Sequence, residues 1–445
     1  MDDYRALADA LAADIAAGRL RPGDRLPPQR RFARAHRVAA STASRVYGEL
    51  IRRGLAVGEV GRGTFVRTGT LRAETTLAEP ASGRIDLEFN FPMLPGQAEL
   101  VATSLVDLLS PATMIEGLRP TVVAGTPAAR SAAATLLSRS GWQPAPESIL
   151  FTGGGRQALA AVAAGLLGIG QRLAVEEFTY PVMKAVAARL GITPVPIAMD
   201  EHGLIPAALA EVHRSAPLRA VYVQPTLHNP LGITMPEARR RELAQVTGEL
   251  GIPVIEDMVN GFLREDPAPL AALAPEHTVL VDSMSKRVAP GLTLGFVVTP
   301  PALSPKIAAA IRSGAWMPGS FALTATTRLI EDGMARSLGT AKQQDARLRQ
   351  EIVATRLAGF DVQADPGSYH CWWRLPEHWR AETFVASAAR HGIAVTPAAA
   401  FVVGSGRAPG AVRLALGSPT PKNLARALDI LAEVARGTAE DLAVE

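Results

Sequence analysis

From Ile85 onward the chain alternates short runs rich in Val, Ile and Leu with longer stretches of helical pattern. The runs at 148–152, 172–175, 219–223 and 253–256 are too short for helices and are bounded by turn residues. Strands that alternate with helices leave both faces of a sheet to be covered, so the pattern predicts an α/β body built on a parallel sheet. No internal repeat or low-complexity block interrupts it.

Ligands of open α/β sheets bind along the C-terminal edge of the strands, and the residues expected there are chemically unusual. Gly153-Gly154-Gly155-Arg156-Gln157 follows the first strand and precedes an Ala/Leu helix, which leaves backbone N–H groups free for a phosphate. The loop VEEFTYP (175–181) carries Tyr180, whose ring can stack on a flat cofactor, and QPTLHNPLG (224–232) holds Asn229 in an Asn-Pro turn. IPVIEDM (252–258) ends its strand on Asp257.

The stretch TVLVDSMSKRVAPGLTLG (278–295) then reads as a strand over 279–281, a turn over 283–286, a Pro290-Gly291 break and a second strand over 294–298. Lys286 stands at that strand end. A lysine in a turn is ordinarily a solvated charge, so its weight comes from what converges on it. In low dielectric its ammonium gives up charge easily, and the neutral amine forms a Schiff base with a carbonyl compound. Only five of the 46 basic residues are lysines, so a retained lysine is itself a hint. A phosphate cradle, a stacking ring, an amide, a carboxylate and a lysine after successive strands together describe a pyridoxal phosphate site. Asp257 would keep the ring nitrogen protonated, Asn229 would hold the ring oxygen, and Lys286 would bond the carbonyl carbon.

The first 67 residues differ in character. They hold thirteen arginines, no lysine and seven acids, a net 13 − 7 = +6, whereas the whole chain carries +4, so the remainder is slightly acidic. A basic module joined to a near-neutral body suits a nucleic-acid reader with a sensing or catalytic partner. Tyr4, Leu7, Leu11 and Ile15 recur at helical spacing, and Pro27-Pro28 opens a second short helix over 29–35. Ser41 or a neighbour caps a third helix with Ala43, Val46, Tyr47 and Leu50 inward and Ser41, Thr42, Ser44, Arg45 and Gly48 outward. Residues 55–57 and 64–66 flank a glycine-rich turn as a hairpin. Three helices and a hairpin make a winged helix-turn-helix. The third helix would read a major groove through Ser41, Thr42, Ser44 and Arg45, with Arg62 on the wing.

The motifs PGDRLPPQRRFA (22–33), STASRVYGEL (41–50) and RRGLAVGEVGRGTFV (52–66) resemble the GntR family of bacterial regulators. That resemblance implies that Arg30 contacts DNA, and that the Ala39-Ala40 pair, where relatives carry Ser-Arg, drops one contact. Residues 85–445 resemble fold type I, class I aminotransferases through TGGGRQAL, HNPLG, IED and SMSK-x-x-APG, so the whole chain looks like the MocR subfamily. The resemblance implies a large subdomain over about 125–300 and a small one over about 301–445; residues 68–84, a mix of Thr, Gly, Ala, Glu, Pro and Arg without apolar periodicity, read as a linker. It also implies cofactor contacts at Gly153, Gly154, Gly155, Arg156, Tyr180, Asn229, Asp257, Ser283, Ser285, Lys286 and Arg287, and an effector carboxylate on Arg413.

Three departures stand against that pattern. Thr293 replaces the arginine expected to grip the phosphate, leaving Arg156 and Arg287 as substitutes; Val259-Asn260 replaces a tyrosine; and PTVVAG (120–125) lacks another. The expected function is a transcriptional regulator that binds a double-stranded DNA operator as a homodimer and senses pyridoxal phosphate, a small amino compound, or both. A working aminotransferase with a DNA-binding head, and a regulator whose pocket no longer takes the cofactor, remain open.

At 445 residues two or three domains are expected. Acidic residues near the start and a longest uncharged apolar run of only 158–170 argue against a signal peptide and a membrane span, so a cytoplasmic protein is expected. The single cysteine, Cys371, excludes an intrachain disulfide and a cysteine metal cluster, and no metal site is expected.

Overall fold

A computed structural model describes residues 4–16, 19–20, 24–52, 55–59, 63–66, 85–264, 267–404 and 408–437. The chain divides into two compact units, Met1–Ala78 and Glu79–Glu445. The expected linker at 68–84 and the wing residue Arg62 lie outside the described residues.

In the first unit the helices are Tyr4–Ala16, Gln29–Ala35 and Ala40–Arg52, followed by the antiparallel strands Ala56–Glu59 and Gly63–Val66. The third helix buries Ala43, Val46, Tyr47 and Leu50 against Leu26 and Phe32. Its 3.6-residue period therefore decides which side chains are left for a partner. The Tyr47 hydroxyl donates to the Pro27 carbonyl at 2.6 Å, tying this helix to the turn before the second. The helix begins at Ala40, so Ser41 lies within its first turn instead of capping it.

The second unit holds a seven-stranded sheet. From one edge its strands are Ile149–Thr152, Gly295–Val298, Thr278–Ser283, Val254–Asp257, Ala220–Val223, Arg172–Glu176 and Thr193–Ile197. All run parallel except Gly295–Val298, which is antiparallel to both neighbours. The chain returns through residues 284–294 without a full crossover helix, and so short a return brings the next strand back antiparallel. Where a turn is expected over 283–286, a short helix, Met284–Arg287, carries Lys286.

The smaller sheet orders Asp361–Ala364, His370–Arg374, Ala411–Ala415, Ile393–Pro397 and Ile85–Leu87. Its core centres on Trp373, set edge-on between Phe360 at 5.0 Å and Phe384 at 5.4 Å. The division expected near residue 300 needs correction. Ile85–Leu87 pairs with Ile393–Val395 in the smaller sheet. The helix Ser304–Ser313 instead packs on Gly155–Leu166 of the larger layer, close enough that a Cβ at Gly165 would sit 3.1 Å from the Ile307 Cα. Strand pairing joins segments roughly 300 residues apart, and no local pattern announces that.

Candidate functional site

Lys286 is half-buried beside the segment that follows Ile85–Leu87. Its Nζ donates to the Asn90 carbonyl and lies 4.6 Å from the centre of the Phe91 ring. Burial, then the charges of Arg156, Arg413 and Lys342, push its ammonium down to about 7, against the opposing pull of Asp257. About half of the amine is then neutral at pH 7, compared with roughly one part in three thousand for a lysine at its ordinary value. Lys342, on the long helix Met334–Arg356, donates to the Lys286 and Val288 carbonyls at 3.0 and 2.6 Å and so fixes the C-terminal end of the short lysine helix.

The residues expected to cradle a phosphate stand around the start of Gly155–Leu166, which has no side-chain cap. A Cβ on Gly155 would meet Ser283 Oγ at 3.1 Å, and one on Gly154 would meet Thr293 Oγ1 at 3.2 Å. Glycine is therefore what lets this turn sit on the strand end, leaving N–H groups and hydroxyls around one small space. Ser285 shares a hydrogen bond with Thr293, which stands at the position where the resemblance leads one to expect an arginine. Arg156 stands exposed at the edge. Arg287 is not in the cradle: it pairs with Asp282 at 3.0 Å and lies over the Phe262 ring at 5.1 Å. Its position one residue after Lys286 turns it to another side of the short helix.

Asp257 ends its strand as expected and is buried. Its Oδ2 accepts from the Tyr222 hydroxyl at 2.7 Å and from Gln224 Nε2 at 3.0 Å, and its Oδ1 accepts from the Val259 N–H at 3.2 Å. Burial raises its carboxyl to about 6 in spite of these donors, so it is mostly ionised at neutral pH. Gln224 also accepts from the Asn229 N–H at 3.3 Å, which links carboxylate and amide. Asn260 does not take over the missing tyrosine's role, because its Nδ2 donates to the Leu227 carbonyl at 3.2 Å. Buried His370 accepts no proton here; burial pushes it down to about 3, and its Nε2 meets the His228 carbonyl at 2.9 Å.

Arg413 lies in the middle of the smaller sheet, in register with Trp372 and Thr396. It donates to Thr396 Oγ1 at 2.9 Å and to the Glu88 carbonyl, and its guanidinium sits 5.4 Å from the Phe401 ring. Residues 88–91 thus form a strap: one carbonyl meets Arg413, the next but one meets Lys286, and Ser418 and Gly417 hold it through Phe89 and Asn90. Tyr180 caps the helix Pro181–Arg189 at the same edge, half-buried. The buried Asn229 Oδ1 and Arg413 Nε have no partner. Unspent polar capacity beside a glycine cradle, an ionised carboxylate and a depressed lysine fits pyridoxal phosphate.

On the first unit Arg30, Ser41, Ser44 and Arg45 are exposed and Thr42 is half-buried, on the faces of the second and third helices that the core leaves open. Among the described residues no group of His, Cys, Asp and Glu is placed to hold a metal ion.

Fold and site together define a helix-turn-helix DNA-binding module joined to an aminotransferase-like body. Residues 3–66 match the bacterial regulatory proteins of the gntR family, and residues 120–431 match aminotransferase class I and II. The chain belongs to the MocR-type regulators, in which a GntR helix-turn-helix domain is fused to a class I/II aminotransferase domain. It is 30% identical over 432 residues to the HTH-type transcriptional regulator YdeF of Bacillus subtilis, covering 96% of this chain and 93% of that one. It is 25% identical to PtsJ of Salmonella typhimurium, a vitamin B6 salvage pathway transcriptional repressor, over 87% of this chain and 92% of that one. Among solved structures, the α-aminoadipate aminotransferase LysN of Thermus thermophilus superposes with a TM-score of 0.73 at 22% identity, over 82% of this chain and 95% of that one.

Sequence reading missed Tyr222, Gln224, Lys342 and the strap. Tyr222 sits inside a strand and reads as core, while the strap contributes backbone carbonyls, which no side-chain pattern marks.

Proposed function

We propose that the body of this regulator binds pyridoxal phosphate and senses an amino compound that competes for it. The observation that carries the reading is that Lys286 and Arg413 both donate to carbonyls of one strap, at Asn90 and Glu88. When bound, pyridoxal phosphate supplies a carbonyl on which amines exchange and a ring that withdraws electrons. The free N–H groups at Gly154 and Gly155, with Ser283, Ser285 and Arg156, would hold the phosphate. Tyr180 would flank the ring, Asn229 would hold its oxygen, and Asp257, oriented by Tyr222 and Gln224, would hold its nitrogen. Arg413 would take the carboxylate of an amino-acid-like effector.

Nζ cannot serve the Asn90 carbonyl in the same way once it is bonded to carbon, and a carboxylate on the Arg413 fork competes with the Glu88 carbonyl. Occupying the site therefore loosens both ties of the strap. The strap directly follows Ile85–Leu87, with which the described part of the body begins. Its release shifts the population of arrangements open to the DNA-binding unit.

The large exposed apolar residues Val106, Leu109 (66% exposed), Ile115, Leu118 (77%) and Val122 lie within one short stretch, and this apolar surface supports homodimer formation. Two heads then match two half-sites of a duplex operator. Among the described residues no single helix is long and apolar enough to cross a membrane. Reading duplex DNA supports a cytoplasmic location.

The test is covalent attachment of added pyridoxal phosphate, followed by visible absorbance across pH. With Lys286 at about 7, the rate of attachment is expected to rise about tenfold per pH unit below neutrality and to level off above about 8. A rate that climbs without a break to pH 10 would show an ordinary surface lysine, and no absorbance change at any pH would remove the cofactor from the account.

A further inference from the structure

A separate pocket of about 120 Å³ opens next to the lysine helix, and none of Lys286, Asn229, Asp257 and Arg413 lines it. Its wall carries four arginines, Arg139, Arg264, Arg287 and Arg336, against one carboxylate, Asp282, a lining charge of 4 − 1 = +3. Arg264 spends part of that on Asp365 at 2.5 Å, outside the lining. Buried Glu256 and Asp282 both act on Arg139, so the positive excess that remains is centred on the rim at Arg336, in a concavity whose low-dielectric walls focus the field.

The guanidinium groups are held in place. Arg139 donates to the Arg264 carbonyl, and a Cβ at Gly261 would come within 2.4 Å of its Nη1, so glycine there leaves room for this arginine. Arg287 has its side chain only 11% exposed. It gives Nη2 to Asp282 and keeps a buried Nε without a partner. Arg336 stands exposed at the rim, on the helix Met334–Arg356. The lining is mixed, with Phe262, Met258, Leu136 and Leu280 standing among polar groups. Arginine forks match a tetrahedral dianion through paired N–H donors, and the apolar lining residues meet an organic body attached to it.

We propose that this pocket binds a small phosphorylated organic molecule, with its phosphate on the arginines and its apolar body against Phe262 and Met258. The inference does not depend on pyridoxal phosphate occupying the Lys286 site. Asp282 immediately precedes Ser283, and Arg287 immediately follows Lys286, so a phosphate that draws Arg287 away from Asp282 acts on the helix that carries the lysine.

Phenyl phosphate titrated into the full chain by calorimetry tests the proposal, with inorganic phosphate and benzoate as comparison ligands. Saturable binding is expected, tighter than for either comparison ligand. It should weaken at least tenfold in Arg336→Glu, whose exposed position leaves folding intact, and stay within about twofold in Arg156→Glu at the phosphate cradle. Absence of saturable binding overturns the proposal. Loss in Arg156→Glu with retention in Arg336→Glu overturns it as well, because the ligand is then in the cradle. Benzoate binding as tightly as phenyl phosphate removes the phosphate requirement.

Discussion

Lys286→Ala is expected to abolish the visible band that pyridoxal phosphate produces with the parent chain, at every pH, without lowering the melting temperature. The loss is complete because the band requires a bond to Nζ, and the neighbouring basic groups cannot supply one: Arg156 and Arg413 are guanidinium groups, and Lys342 is tied to the Lys286 and Val288 carbonyls. Retained stability follows from the electrostatics. Burial and the nearby charges of Arg156, Arg413 and Lys342 push the Lys286 ammonium down to about 7. Removing a cation that its surroundings disfavour relieves strain more than it removes support, even though the Asn90 carbonyl loses a donor. A variant that melts far below the parent would mean that Lys286 is structural. A variant that keeps the band would place the reactive amine elsewhere.

The largest structural effect is expected at Arg240. This residue is fully buried on the helix Glu237–Leu250. It donates to the Met235, Ala268 and Pro225 carbonyls at 3.0, 3.0 and 2.8 Å, and to Thr226 Oγ1 at 2.7 Å. It also faces the buried Glu256 at 3.8 Å. Those bonds fold the loop 224–235, which presents Gln224 and Asn229, onto the strand that ends in Asp257. Arg240→Ala strands several carbonyls and takes from the buried Glu256 the cation that faces it, while the Leu270 and Ala271 N–H groups still donate to that carboxylate. Breaking one side of a buried pair costs about 3–5 kcal/mol. Urea unfolding of the body should report a loss of that size, while Arg241→Ala, an exposed pair with Glu237, should change stability by no more than about 0.5 kcal/mol. Equal effects at the two positions would refute the role given to Arg240.

Arg239, Arg240 and Arg241 are consecutive and chemically identical in sequence. Only the register of the helix on the sheet makes the middle one a buried hub, and register is a tertiary property. The residues that were legible are of another kind. Asp257, Asn229 and Lys286 stand at strand ends, where a short apolar run, a turn residue and a polar side chain coincide, so local pattern places them on the ligand edge. The apolar stripe of Ala43, Val46, Tyr47 and Leu50 was legible for a similar reason, because helical period alone separates its core face from its outer face. Arg287 shows where that logic stops. Adjacent to Lys286 in sequence, it serves Asp282 and a different pocket, because neighbours on a helix point in different directions. The strap at 88–91 was illegible for yet another reason: it acts through carbonyls, brought to Arg413 across 325 residues of chain.

The departures at Thr293 and Asn260 also take on a definite physical form. Thr293 closes the cradle with a hydroxyl bonded to Ser285, so the phosphate would meet helix N–H groups and hydroxyls with Arg156 at the edge. Asn260 supports the 224–232 loop through Leu227. Under the proposed reading, the site would keep the groups needed to bind and exchange an amine and would give up some of the grip on the phosphate. That balance suits a sensor whose ligand comes and goes better than an enzyme that must retain its cofactor through turnover.

The most direct measurement is the affinity of the full chain for a duplex it selects from a random pool, read by fluorescence anisotropy with and without pyridoxal phosphate, then with added amino acids, for the parent and for Lys286→Ala. The account predicts a shift of about fivefold or more in the parent on cofactor addition, a second shift with an amine that suits Arg413, and neither in Lys286→Ala. Identical affinities in the parent under all of these conditions, with the cofactor demonstrably attached, would contradict it.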